Sequence, residues 1–113
     1  MESLEMLSVM LDNWHKPLVF VDHNHIIRYL NKPAKKKYAK YGDVIGKSLL
    51  DCHNENSCRL IKEGFARLQT GAEEVLLSDT PKSRYYIHAV RDENGNLLGY
   101  YDRYDPPIKT NPL

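Results

Sequence analysis

Apolar residues recur along the chain in two rhythms, helical in its first half and alternating in its second. Leu4, Leu7, Met10 or Leu11, and Trp14 fall at helical spacing behind Ser3, which reads as an N-cap. A short amphipathic helix ended by Pro17 is therefore expected. Leu18-Val19-Phe20-Val21 and Ile26-Ile27-Arg28-Tyr29-Leu30 are short β-forming runs around Asp22-His23-Asn24-His25, the pattern of a hairpin with a polar turn. Asn31-Lys32-Pro33 can cap and open a helix, because proline at the first helical position gives up no needed hydrogen bond. That helix is expected over 34–41, closed by Gly42, with a connecting turn and a further brief helical piece over 44–50. Cys58, Ile61, Phe65 and Leu68 resume the helical period, and Gly71 stands where a left-handed C-cap belongs, so 57–69 is the longest expected helix. Beyond it the period shortens to two over 73–78, 84–91 and 97–104. Thr80-Pro81-Lys82-Ser83 and Asp92-Glu93-Asn94-Gly95-Asn96 supply the turns between these three strands.

The order is helix, two strands, a block of helices, then three strands. Such segregation implies an α+β fold, with one five-stranded antiparallel sheet covered on one face by short helices and an N-terminal helix ahead of it. The expected division is an N-terminal helix over 1–15, one domain over 16–105 and a disordered, Pro-rich tail over 106–113. A length of 113 residues with 42% hydrophobic and 27% charged side chains suits one self-sufficient core. A net charge of +1 offers no broad field for nucleic acid or an anionic membrane, so neither partner is expected. No apolar run is long enough to span a bilayer and the first residues lack a basic leader, which makes the cytoplasm the expected location. Two cysteines, Cys52 and Cys58, are too few for a disulfide scaffold and are expected to be thiols.

The order and several motifs resemble the PAS domain family over 17–104. Leu18-Val19-Phe20-Val21-Asp22 with Ile26-Ile27-Arg28-Tyr29 is similar to that family's opening hairpin, and Val44-Ile45-Gly46-Lys47 to its glycine turn. Val90-Arg91-Asp92-Glu93-Asn94-Gly95-Asn96-Leu97-Leu98-Gly99 is similar to its final hairpin. A narrower resemblance is to PAS domains found beside hemerythrin-like domains, which carry a Cys-His pair after that turn, here Cys52-His53. The resemblance implies a sensory or signalling domain, not an enzyme. It would bind a small molecule or cofactor between sheet and helices and pass the signal on through helix or dimer rearrangement. A ligand-free dimerisation module is the alternative. There are departures too. The usual turn glycine of the first hairpin is His25, so the positive φ is expected to fall on Asn24 or to be avoided by another turn type. Arg103-Tyr104-Asp105-Pro106-Pro107 replaces the usual signal leading to an output helix, and Gly46-Lys47-Ser48-Leu49 lacks the cysteine that flavin photochemistry needs.

His53, Phe65, Tyr86, His88 and Tyr100 are the candidate contacts to a bound molecule. His53 is the candidate haem ligand, because neutral imidazole binds iron, although haem-binding relatives usually place the ligand on the long helix, where 57–69 has no histidine. The tyrosines and His88 fall on two paired strands whose inward face alternation alone does not identify. Cys52, His53 and Cys58 could converge as metal ligands, but their spacing is unlike a zinc site, and packing or capping roles are the simpler reading. A Cys52 nucleophile has neither a glycine-rich oxyanion turn nor a placed carboxylate pair to support it. Lys32, Lys35, Lys36, Lys37 and Lys40 read as a solvated helix face. The Leu4 to Trp14 stripe suits a two-fold contact, so a homodimer through the N-terminal helix is expected, with a signalling protein as a further partner.

Overall fold

The computed structural model describes residues 1–108. Ten elements follow the expected order: α1 (Ser3–Asp12), β1 (Val19–Asp22), β2 (Ile27–Leu30), α2 (Lys32–Lys37), 3-10 turns at Ala39–Tyr41 and Leu49–Cys52, α3 (Glu55–Gln69), β3 (Glu74–Asp79), β4 (Arg84–Arg91) and β5 (Leu97–Asp105). The strands form one sheet in the order β2-β1-β5-β4-β3, with every neighbouring pair antiparallel. The fold is α+β, as expected. The single helix expected over 34–41 is divided, and Ser3 is the first residue of α1 and not its cap, since Glu2 takes that place without a side-chain bond. The expected tail at 106–113 lies mostly outside the described residues, though Arg84 Nε donates to the Pro106 carbonyl at 3.0 Å.

α3 closes the inner face of the sheet. Asn54 caps it by accepting from the Ser57 amide at 2.8 Å, and its buried side carries Ile61, Gly64, Phe65 and Leu68. These meet Val75, Tyr85, Ile87, Ala89 and Tyr100 from the strands, with Val19, Val21 and Ile27 in the same core. Gly99 lets β1 and β5 approach: a Cβ there would run into the Val21 carbonyl oxygen and come within 2.8 Å of the Asp22 Cα.

Asn31 fastens the N-terminal segment to this core. It is fully buried, and its side chain uses its whole bonding capacity. Oδ1 accepts from the Leu18 and Ala34 amides (2.8 and 3.1 Å), while Nδ2 donates to the Leu11 and Lys16 carbonyls (2.8 and 2.9 Å). One amide thus caps α2, holds the end of α1 and fixes the strap that leads into β1. The Leu18 carbonyl in turn accepts from the Asn31 amide at 3.0 Å. Leu18 is therefore committed to the β2 side, and β1 pairs with β5 only from Phe20↔Tyr101 to Asp22↔Gly99. Past Tyr101 the β1 side of β5 borders a cleft.

Candidate functional site

The two hairpin turns that flank the middle of the sheet are built alike. In one, Asp92 Oδ1 accepts from the Asn94 and Asn96 amides, both at 2.9 Å, and Gly95 takes a φ of 82°. In the other, Asp22 Oδ1 accepts from the Asn24 and Ile26 amides (2.8 and 3.1 Å), and the residue with positive φ is His25, at 64°. The expectation for Asn24 is corrected: the carboxylate clamp sets the turn, and its geometry puts the left-handed position one residue later. A non-glycine residue there costs about 1 kcal/mol. Contacts offset it. His25 Nδ1 and the Tyr100 hydroxyl share a 2.8 Å hydrogen bond, and the imidazole packs edge-on against Phe65 with ring centroids 5.1 Å apart. Burial lowers the His25 pKa, with a further push from Lys62.

This cluster tests its own origin. His25→Ala loses the ring contacts but keeps the backbone cost, whereas His25→Gly loses the contacts and removes that cost. Chemical denaturation is expected to find the glycine variant about 1 kcal/mol more stable than the alanine variant. Equal stabilities would mean that the turn carries no strain.

Of the five residues expected at a binding site, Phe65 and Tyr100 meet in the interior, with centroids 5.7 Å apart. Tyr86 and His88 lie on the opposite face of the sheet. There Tyr86 accepts from Arg84 Nη1 at 3.0 Å beneath the Arg103 guanidinium, and His88 stacks on Tyr101 at 5.0 Å. His53 follows the second 3-10 turn, its Nδ1 bonded to the Leu49 carbonyl at 2.9 Å. The five do not share one cavity. Cys58 Sγ donates to the Leu50 carbonyl at 3.1 Å, and burial raises the Cys52 thiol pKa. Among the described residues no three His, Cys, Asp or Glu side chains gather as a metal site. The inner side of α3 is Ile61, Gly64, Phe65 and Leu68, which do not fit a haem, since they offer iron no nitrogen and lie buried against the sheet.

Asp102 is the interior group that the sequence reading passed over. It shares the inner face of β5 with Tyr100, and only 5% of it is exposed. Tyr85 donates to Oδ2 at 3.1 Å, in a pair of rings where Tyr85 stacks on Tyr104 at 4.4 Å. Burial raises the Asp102 pKa, against the pull of Lys37 and the Tyr85 bond. Tyr104 is pushed up to about 12 by burial and by the Asp102 charge. Lys37, read from sequence as solvated, lays its Nζ 3.6 Å from the centre of the Tyr104 ring. A signal existed for Asp102: it is in phase with Tyr100 along an alternating strand, where a carboxylate is out of place.

The antiparallel sheet, the covering helix and the N-terminal helix together match a known family. The family model described as PAS domain matches residues 7–101. The chain belongs to the PAS domain family. PAS domains are sensory and signalling modules, typically without catalysis. None of the curated proteins matches the chain. Solved structures share the PAS fold. The C-terminal domain of a Streptococcus mutans protein aligns at TM-score 0.75 and 21% identity, over 93% of this chain and 85% of that one. The PAS domain of a Colwellia psychrerythraea protein aligns at 0.70 and 13%, over 93% and 97%. A sensory box sensor histidine kinase from Vibrio cholerae aligns at 0.61 and 16%, over 94% and 90%. Among the described residues no helix of this PAS domain is long and apolar enough to cross a membrane.

Proposed function

We propose that this PAS domain is a non-catalytic sensory unit that binds a small molecule and reports it by moving α1 within a homodimer. The supporting observation is α1 itself. Leu4, Met6, Leu7, Val9 and Met10 are between 49% and 80% exposed, and no residue of the helix is buried. Glu5, Ser8 and Asp12 mark a single polar side, so the apolar arc is wider than one neighbour can cover. A second copy of the same helix offers matching apolar area about a two-fold axis. Because Asn31 joins α1 to the strap and to α2, a change beside the strap has a short route to that contact. The Cys52-His53 pair after the Gly46-Lys47 turn supports kinship with PAS domains that accompany hemerythrin-like domains, and a signalling protein is the fitting output partner.

Sedimentation equilibrium over about 1–200 µM is expected to give a dimer that Leu7→Glu converts to a folded monomer. A monomer at every concentration would end the dimer reading. The filled interior favours a second reading, a dimerisation module without ligand. Native mass spectra of freshly purified protein separate the two, since a retained mass supports the sensor.

A further inference from the structure

The cleft beside β5 has a volume of about 370 Å³, within the usual range for small-molecule sites. Trp14, Pro17 and Leu18 of the strap form one wall and Tyr104 the other, with Lys16 and Lys37 contributing ammonium groups. We propose that this cleft binds a small organic carboxylate with a flat or branched apolar body. The inference deepens the sensor reading and rests on it, because the strap is the segment that leads to α1.

Three observations fix the class. Among the described residues no carboxylate oxygen lies within 4.0 Å of Lys37 Nζ, so no salt bridge occupies this cleft-lining ammonium. Lys16 reaches Asp105 only at the 4.0 Å limit, and that carboxylate is already held by Arg103 at 2.9 Å. An anion entering between strap and strand therefore finds two cations with capacity to spare. Asp102 also lines the cleft and its charge acts on Lys37, but its Oδ2 accepts from the Tyr85 hydroxyl at 3.1 Å and neither of its oxygens comes within 4.0 Å of Lys37 Nζ. A cationic ligand would meet the Lys37 ammonium already seated on the face of Tyr104. The indole of Trp14 and the pyrrolidine of Pro17 supply apolar surface for the body of the ligand.

Trp14 is the chain's single tryptophan, so its emission reports on the cleft directly. The probes are 3-phenylpropionate, 3-phenylpropan-1-ol and 3-phenylpropylamine, which share a body and differ in head group. A saturable emission change is expected with the acid, at least about tenfold tighter than with the alcohol or the amine. Lys37→Met should weaken the acid about tenfold, and Lys37→Arg should retain it. The proposal is overturned if the amine binds more tightly than the acid, if Lys37→Met leaves the acid unaffected, or if no saturable change occurs up to about 10 mM. Sedimentation run with and without the acid keeps the two readings apart. Binding that leaves the dimer unchanged upholds the site and removes the proposed signal route, whereas a dimer without acid binding removes the site alone.

Discussion

Gly99→Ala is expected to destabilise the domain by about 3 kcal/mol and to lower its melting temperature by about 12 °C. The added methyl group has nowhere to go. It would meet the Val21 carbonyl oxygen, with the Asp22 Cα at 2.8 Å and the Val21 carbonyl carbon at 2.9 Å, and all three are backbone atoms of a paired strand. Relief requires β1 and β5 to separate, which breaks the ladder that joins the first hairpin to the rest of the sheet. Gly64→Ala is the control, since its nearest obstacle is the end of the Leu77 side chain and alanine favours a helix interior by about 1 kcal/mol. Thermal melts followed by circular dichroism decide the matter. A loss at Gly99 no greater than at Gly64 would show that the strands are not held this closely.

Asn31→Ala comes next, with an expected loss of about 3 kcal/mol. Four backbone groups from three segments lose a bond together, the Leu18 and Ala34 amides and the Leu11 and Lys16 carbonyls, of which Leu11 keeps its bond from the Trp14 amide. Asn31→Asp divides the effect. Its carboxylate can still accept from Leu18 and Ala34, but it turns an acceptor toward the two carbonyls and repels them. Hydrogen exchange is expected to rise in α1 and the strap of the aspartate variant while β4 and β5 stay protected. Uniform loss of protection would mean that Asn31 supports the whole core and not the junction with α1.

Much of this architecture is legible in the chain because local chemistry and fold agree. Asn31-Lys32-Pro33 announces α2, the spacing of Ile61, Phe65 and Leu68 announces α3, and the change of period announces the last three strands. The site is less legible, for physical reasons. Tyr85 and Tyr86 put the same side chain on both faces of β4, so that pair carries no phase, and only burial in the core cluster shows that Tyr85 points inward. The reach of Asn31 to Leu11 spans 20 residues, and no local pattern foretells it. His25 is the reverse case: the sequence displays the missing glycine, but only the Asp22 clamp decides which residue bears the unusual φ.

The attachment of α1 has a mechanical side. Its bonds to the domain gather at its final turn, through Asn31 to the Leu11 carbonyl and through Asp12, which accepts from the Lys32 amide at 2.8 Å. Ten residues of helix extend about 15 Å from that pivot. A tilt of about 10° at the pivot carries the distal end through about 2.6 Å, a lever whose output exceeds the sub-ångström adjustments a packed interior tolerates.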